Sequence, residues 1–239
     1  MEKSKHLITD RTSIFSSVLV MAVIFLLSPE VYAHGVDANT KQFLLANQGV
    51  AIGPFLYIGS KHMVTGYDHL LFLLGVIFFL FRTKDILLYV SLFTLGHSLT
   101  LFFGVLGNIM VNPYLIDAII GLSVVYKGFD NLGGFQRIFG FQPNTKAAVL
   151  IFGLFHGFGL ATKLQDFALP EQDLWKNLLA FNIGVEIGQF LALLFILILL
   201  NFWRRFNSFY GFSVITNTLL MTGGLILFGY QMTSYVLNV

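Results

Sequence analysis

The sequence predicts an all-α integral membrane protein, a six-span transmembrane helical bundle that follows a cleaved signal peptide. Hydrophobic residues make up 56% of the 239 residues and charged residues only 11%, whereas soluble domains have roughly 25% charged residues. The mean hydropathy is +0.78, and the apolar residues are gathered into runs of membrane-spanning length. The net charge of +2 gives no reason to expect a nucleic-acid partner. The absence of cysteine excludes disulfides, thiolate metal ligands and cysteine nucleophiles.

The first 33 residues have the pattern of a cleaved signal peptide. Lys3, Lys5 and Arg11 provide a basic start, residues 14–27 are apolar, and small residues lead up to a cleavage site after Ala33. The alternative is that the segment stays attached as an uncleaved first helix. Both interpretations place the next residue outside the cytoplasm.

The rest of the chain is predicted to consist of an interfacial segment and a transmembrane domain. Residues 34–60 are expected to be periplasmic or interfacial, because their apolar stretch is too short and too interrupted to cross the ~30 Å hydrocarbon core. Residues 61–239 are expected to form the six-helix transmembrane domain. Its predicted spans are 66–81, 86–107, 114–132, 147–164, 174–203 and 212–237.

The charges of the loops predict the orientation. Arginine and lysine occur in the first, third and fifth loops between spans, whereas the alternate loops are uncharged or acidic. Basic loops remain in the cytoplasm, so both ends of the mature chain are expected outside the cytoplasmic (inner) membrane. Membrane lipid is the expected partner, and a homo-oligomer or a larger membrane complex is left open.

Ionisable residues recur in these apolar segments, beginning with the stretch His62-Met-Val-Thr-Gly-Tyr-Asp-His69. Such residues are costly in a membrane and are usually functional. The predicted topology places them between the membrane centre and the outer surface, with the first motif at the outer end of its span. Imidazole and carboxylate ligands without cysteine suit a divalent transition metal ion such as nickel, cobalt, zinc or copper. The predicted metal ligands are His62, Asp68, His69, His97, Asp117, His156 and Glu186.

Further polar residues are expected to support this site. Asn182, Glu186 and Gln189 have the spacing of one helix face, and Ser98 follows a predicted ligand. We also expect His34 to be a candidate N-terminal ligand, because signal cleavage would give it a free α-amine beside its imidazole.

Several candidates are open to another interpretation or depend on a structural condition. His62 and His69 would be ~10 Å apart along a continuous helix, so they can share an ion only if Gly66 interrupts it. His97 could be a helix–helix hydrogen-bond partner, and Asp117 could cap the helix that begins after a proline.

The motifs resemble those of the HupE/UreJ family of bacterial membrane proteins, which are linked to nickel or cobalt uptake. The family signature His-Pro-x-x-Gly-x-Asp-His corresponds to residues 62–69, with Met63 in place of proline, and Phe-His-Gly-x-Ala-His-Gly corresponds to residues 155–161 in its first half. Residues 93–100 and 181–189 are similar to the second branch of the family. The resemblance implies a bacterial inner-membrane protein with six spans after a cleaved signal.

Three functions fit these features. The first is a transporter or permease for a nickel- or cobalt-type cation, captured in the outer half of the bundle. The second is an integral-membrane metal-dependent hydrolase, in which a held metal ion would activate water and Glu186 would act as general base. The third is a metal-binding accessory subunit of a membrane complex.

Overall fold

The computed structural model describes residues 49–165 and 173–237, and in this part of the chain all regular structure is helical. The predicted signal peptide, residues 1–33, and the candidate ligand His34 lie outside the described residues. The helices, in chain order, are α1 (Ile52–Thr65), α2 (Tyr67–Ile77), α3 (Thr83–Leu106), α4 (Pro113–Asn131), α5 (Gly134–Phe139), α6 (Thr145–Gln165), α7 (Leu174–Trp203) and α8 (Ser208–Leu237).

Four of these helices, α3, α6, α7 and α8, are long and apolar enough to cross a membrane. They contain 24, 21, 30 and 30 residues, and the shortest is therefore about 30 Å long at 1.5 Å per residue. Helix α7 has the bounds that were predicted for the fifth span, and α3, α4, α6 and α8 differ from their predicted spans by a few residues. The chain is therefore a helical membrane protein.

The largest difference from prediction is at the first span, expected over residues 66–81. Within that range the structure has the 11-residue α2, and the 14-residue α1 directly precedes it. The two helices are ~16 Å and ~21 Å long, and each is too short to cross the membrane alone. Gly66 separates them with an extended backbone, φ −74° and ψ 104°. Residues 52–60, which were expected to be interfacial, form most of α1, and this helix contributes buried residues to the core.

Helices α1 and α2 run in succession along α7. At the start of α1, Asn177 of α7 accepts a hydrogen bond from the Ala51 amide at 2.8 Å. Further along, the Ser60 hydroxyl donates to the Gly184 carbonyl at 2.9 Å. At the end of α2, the Arg204 guanidinium, just after α7, donates to the Ile77 carbonyl at 2.6 Å. The two short helices together thus match the length of one long helix.

Glycines bring three pairs of helices into close contact. In each pair, a Cβ added to the glycine would overlap backbone or side-chain atoms of the partner helix, so only glycine allows this approach. The pairs are α1 with α7, α3 with α6, and α4 with α8. The glycines at these contacts are Gly59, Gly184 and Gly188 in the first pair, Gly96, Gly153 and Gly157 in the second, and Gly121, Gly128 and Gly224 in the third.

The direction of each pair follows from its contacts. Helices α3 and α6 are parallel, because Gly96 lies against Gly153 and Gly104 lies against Ala161 further along both helices. Helices α4 and α8 are antiparallel, since Gly121 meets Phe228 whereas the later Gly128 meets Asn217. Helices α1 and α7 are parallel, as the hydrogen bonds above require. The short α2 contacts α1, α3, α4, α7 and α8, and therefore lies inside the bundle.

Candidate metal site

The four histidines of the described residues lie side by side in the interior of the bundle. His69 is central: its ring centroid is 4.9 Å from that of His156, 5.0 Å from that of His62 and 6.1 Å from that of His97. His69 and His156 are fully buried, and His97 and His62 are 1% and 8% exposed. Residues from α1, α2, α3 and α6 thus meet in one cluster.

The break at Gly66 makes this cluster possible. Because the helix ends at Thr65 and restarts at Tyr67, His62 and His69 are not held on one continuous helix, and their rings make an edge-to-face contact. Gly66 also leaves room for the site, since a Cβ there would lie 2.8 Å from His69 Nδ1 and 3.1 Å from Asp68 Oδ1. The sequence required an interruption at Gly66 if His62 and His69 were to share an ion, and the structure has this interruption.

Asp68 orients the central imidazole. Its Oδ1 lies 3.0 Å from His69 Nδ1, and both side chains are almost completely buried. An ionised carboxylate can only accept hydrogen bonds, so with Asp68 ionised this contact requires the proton on Nδ1 and leaves the ring's lone pair on Nε2. This carboxylate–histidine arrangement is the one that commonly fixes the tautomer of a metal-binding imidazole.

Three of these residues have the spacing of metal ligands. Asp68, His69 and His156 each offer one ligand atom, and the three atoms lie within 4.8 Å of one another. The set consists of two imidazoles and one carboxylate, which suits borderline divalent ions rather than calcium or magnesium. The rings of His62 and His97 lie 5.0 and 6.1 Å from that of His69, near enough to add ligands to this set.

Aromatic rings enclose the cluster. Phe93 packs against three of the histidines, with its ring centroid 5.0 Å from that of His156, 6.1 Å from His97 and 6.3 Å from His69. Phe72 lies 5.5 Å from the His156 ring, and Phe93 and Phe72 are each 1% exposed. These rings exclude water from the imidazoles and strengthen the electrostatic interactions of a bound cation.

The cluster lies beside the middle of α6. Asp68, His69 and His156 offer ligand atoms within 4.8 Å of one another, and His156 is near the middle of the 21-residue α6. The motif itself follows a helix, because residues 52–65 form α1 directly before it.

The structure gives Asp117 a different neighbour. Its Oδ2 lies 2.7 Å from Lys163 Nζ, in an ion pair that joins α4 to α6. Asp117 is not the cap of α4, because the Asn112 side chain accepts the hydrogen bond from the Leu115 amide at 3.2 Å. Asp117 is buried, at 5% exposed, but it does not belong to the group of three closely spaced ligand atoms.

The supporting polar residues bind α3 to α7. The Ser98 hydroxyl donates to Asn182 Oδ1 at 2.9 Å, and the Thr94 hydroxyl donates to Gln189 Oε1 at 2.9 Å. Asn182 and Gln189 are buried. These two bonds satisfy polar groups between the helices and hold α3, which carries His97, against α7.

Glu186 is not brought to the histidines. It lies on an exposed part of α7, next to a stripe of exposed apolar side chains that includes Ile183, Ile187 and Phe190. Although Asn182 and Gln189 are close to Glu186 in helical position, the packing of α3 covers these two side chains and leaves the carboxylate at the edge.

Sequence reasoning missed two basic residues. Lys163 is a lone lysine near the end of the fourth apolar segment. The signal available in the sequence was that such a lysine needs an acidic partner from another apolar segment. Arg204 was used only as a marker of orientation, whereas its guanidinium caps α2 through the Ile77 and Phe78 carbonyls at 2.6 and 2.7 Å. No sequence pattern indicated that cap, because the location of the end of α2 was not predicted.

Comparison with known proteins gives one match. A protein-family model described as HupE / UreJ protein matches residues 38–239. Neither a curated protein nor a solved structure gives a significant match. The matched region contains every described helix and all of the clustered histidines. Because the match extends over most of its length, this chain belongs to the HupE/UreJ family.

Proposed function

We propose that the protein is a transporter or permease for a divalent transition metal cation of the nickel or cobalt type. The observation that carries the proposal is the buried cluster of Asp68 and four histidines around the break between α1 and α2. The family's association with nickel and cobalt uptake points to the same cargo. We assign His62, Asp68, His69, His97 and His156 to the cation site, with Asp68, His69 and His156 as its centre.

The broken helix supports transport rather than permanent storage. Its last carbonyls in α1 carry the partial negative charge of a helix C-terminus, which favours a cation. The opposite partial charge at the start of α2 is balanced by Asp68 in its first turn. Broken helices with sites at their ends are a recurrent arrangement in membrane transporters. A cation held partly by such groups can be released when the two short helices move.

Six crossings are the topology that we propose. Helices α1 and α2 together would make the first crossing, and α3, α4, α6, α7 and α8 would make the others. In alternating crossings, the first and fifth must be parallel, the second and fourth parallel, and the third and sixth antiparallel. The three glycine-packed pairs have these directions, which supports the proposal.

The orientation proposed from the loop charges places both ends of the mature chain outside the inner membrane. The lack of native cysteine allows a direct test with single cysteines in exposed loops. Met110→Cys, between α3 and α4, should react with an impermeant maleimide added to intact cells, whereas Phe141→Cys, between α5 and α6, should react only after lysis. The opposite labelling pattern would reverse the orientation.

Transport is tested by binding and uptake with the same protein. The purified full chain in detergent should bind Ni²⁺ stoichiometrically in equilibrium dialysis, and proteoliposomes should accumulate ⁶³Ni²⁺ above protein-free vesicles. His156→Asn should abolish both. Absence of Ni²⁺ and Co²⁺ binding would refute the proposal, and binding without uptake would leave the accessory-subunit or hydrolase function as the better account.

A further inference from the structure

We propose that Asp117 is a second cation subsite beside the histidine cluster. The Lys163 ammonium occupies this subsite until an arriving metal ion displaces it. This inference rests on the proposed function and adds that a side chain of the protein itself, Lys163, competes with the metal ion. The Lys163 ammonium lies 2.7 Å from Asp117 Oδ2. A metal ion that binds the carboxylate must therefore take the place of the ammonium.

The pair is unlike the other lysine–aspartate pairs of the described residues. Lys127–Asp130 and Lys176–Asp173 are both contacts between residues three apart on one helix. Lys163–Asp117 instead joins two helices, α6 and α4, and its side chains are 17% and 4% exposed. A buried carboxylate needs a positive partner, because removing one member of such a pair leaves an uncompensated charge. Either an ammonium or a metal ion can be that partner.

The position of the pair places it next to the histidine cluster. Gly159 is three residues after His156 on α6, or ~4.5 Å along the axis. A Cβ on Gly159 would lie 3.5 Å from Asp117 Oδ1, so the carboxylate is beside the helical turn that follows His156. An added Cβ there would also lie 3.1 Å from Ile116 Cγ2, so the glycine lets α4 pack closely against this turn. The subsite therefore adjoins the cluster on the side of the α6 C-terminus.

Lys163 can leave this position without disrupting the fold. It is two residues from the end of α6, and its long flexible stem can extend its ammonium toward the interface. The end of α6 is held separately, because the Gln165 amide donates to the Gly104 carbonyl of α3 at 3.0 Å. The helix end can thus stay fixed while the lysine exchanges with a cation.

Electrostatics determines the direction of the effect. A divalent ion in the cluster repels the nearby ammonium, and this repulsion is strong in a buried environment. Conversely, an ammonium bound to Asp117 lowers the affinity of the cluster for the cation. Binding and displacement are therefore reciprocally coupled. Lys163 would keep the affinity low enough for the ion to be released again.

The test measures Ni²⁺ affinity of the purified full chain with Lys163→Met, which keeps the stem and removes the charge. Coupled sites commonly change affinity 5–150-fold, and we expect the Kd for Ni²⁺ to fall about tenfold. Asp117→Asn should weaken binding. In the Asp117→Asn background, Lys163→Met should have little further effect, since the ammonium is no longer held beside the site. Lys176→Met, in a partly exposed pair of residues three apart, is the matched control and should leave Kd unchanged.

The outcomes separate this inference from the proposed function. If the wild type binds Ni²⁺ and His69→Asn abolishes binding, but the folded Lys163→Met variant binds equally or more weakly, the proposal for Lys163 is overturned alone. If the wild type binds neither Ni²⁺ nor Co²⁺, both are overturned. A monodisperse peak in gel filtration verifies that each variant is folded. If Lys163→Met fails to fold, Lys163→Arg is used instead; because it keeps the charge, it should retain wild-type affinity.

Discussion

The α1–α2 junction and the middle of α7 are both polar regions within apolar helices, but they bury their polar groups in different ways. At the junction, Asp68 and His69 face other ionisable groups, including His156 of α6. On α7, Asn182 and Gln189 are hydrogen-bonded to hydroxyl groups of α3. The first region gathers potential ligands, whereas the second fastens helices together. The difference shows that polar residues at one depth need not share one role.

The backbone explains the contrast. The break at Gly66 interrupts the helix and lets residues on both sides of it, His62 and His69, bring their rings into contact. Helix α7 is continuous for 30 residues, so Asn182, Glu186 and Gln189 remain on one face of it. Those that α3 covers are bonded, and Glu186 is left on the exposed side. The predictions below test this division, from the largest expected effect to the smallest.

His69→Asn should have the largest effect on metal binding. The ring of His69 lies within 6.1 Å of the rings of the three other histidines, and its ligand atom belongs to the closely spaced group of three. Loss of an outer partner of a metal ligand commonly costs 10–100-fold, so loss of this ligand should weaken Ni²⁺ binding by at least about 100-fold. Equilibrium dialysis measures the change. A Kd within threefold of the wild type would remove His69 from the site.

Gly157→Ala should cause the largest loss of stability. The added methyl group would overlap the His97 carbonyl and the Thr100 hydroxyl, so α3 and α6 must separate. Overpacking of this kind costs roughly 2 kcal/mol, which corresponds to a fall in Tm of about 4–8 °C for a chain of this size. Gly229→Ala is the matched control, because no atom lies within 4 Å of its added Cβ. Equal melting of the two variants would contradict the close packing of α3 and α6.

His97→Asn should have an intermediate effect on affinity. The His97 ring is 6.1 Å from His69, whereas His156 is at 4.9 Å, so His97 is at the edge of the cluster. We expect Ni²⁺ binding to weaken about tenfold, the lower end of the range for residues that support a metal site. A loss of Ni²⁺ affinity as large as that of His69→Asn would instead show that His97 binds the cation as directly as His69 does.

Asn182→Ala should reduce stability without changing affinity. It removes the hydrogen bond from Ser98, and such bonds between membrane helices contribute about 0.6 kcal/mol on average. A double-mutant cycle with Ser98→Ala, measured by unfolding in detergent, should show this coupling. A change in Ni²⁺ affinity comparable to that of His97→Asn would mean that α7 contributes to the site after all.

Glu186→Gln should have the smallest effect. The carboxylate lies on the exposed side of α7 and away from the histidine cluster, so Ni²⁺ affinity should change less than about twofold, within the spread of surface substitutions. The same dialysis measurement decides the matter. A tenfold loss would show that Glu186 reaches the cation and would restore it to the set of ligands.

The sequence by itself determined the helical membrane class and most helix bounds, because apolar runs of membrane-spanning length have no other stable structure in lipid. It also identified the clustered residues, since ionisable groups are rare and costly in such runs. The spacing of His62 and His69 also set a condition, because the two can share an ion only if Gly66 interrupts the helix. These properties depend on composition and local spacing, which are visible along the chain.

Only the tertiary structure decided how each helix is rotated and what precedes the motif. Rotation depends on which neighbour covers a face, and this separates Glu186 from Asn182 although they are one turn apart. The segment before the motif is fixed by the packing of residues 52–65 against α7 through glycines. Long-range pairing, such as Lys163 with Asp117 over 46 positions, arises from the contact between α4 and α6, and no local pattern encodes it.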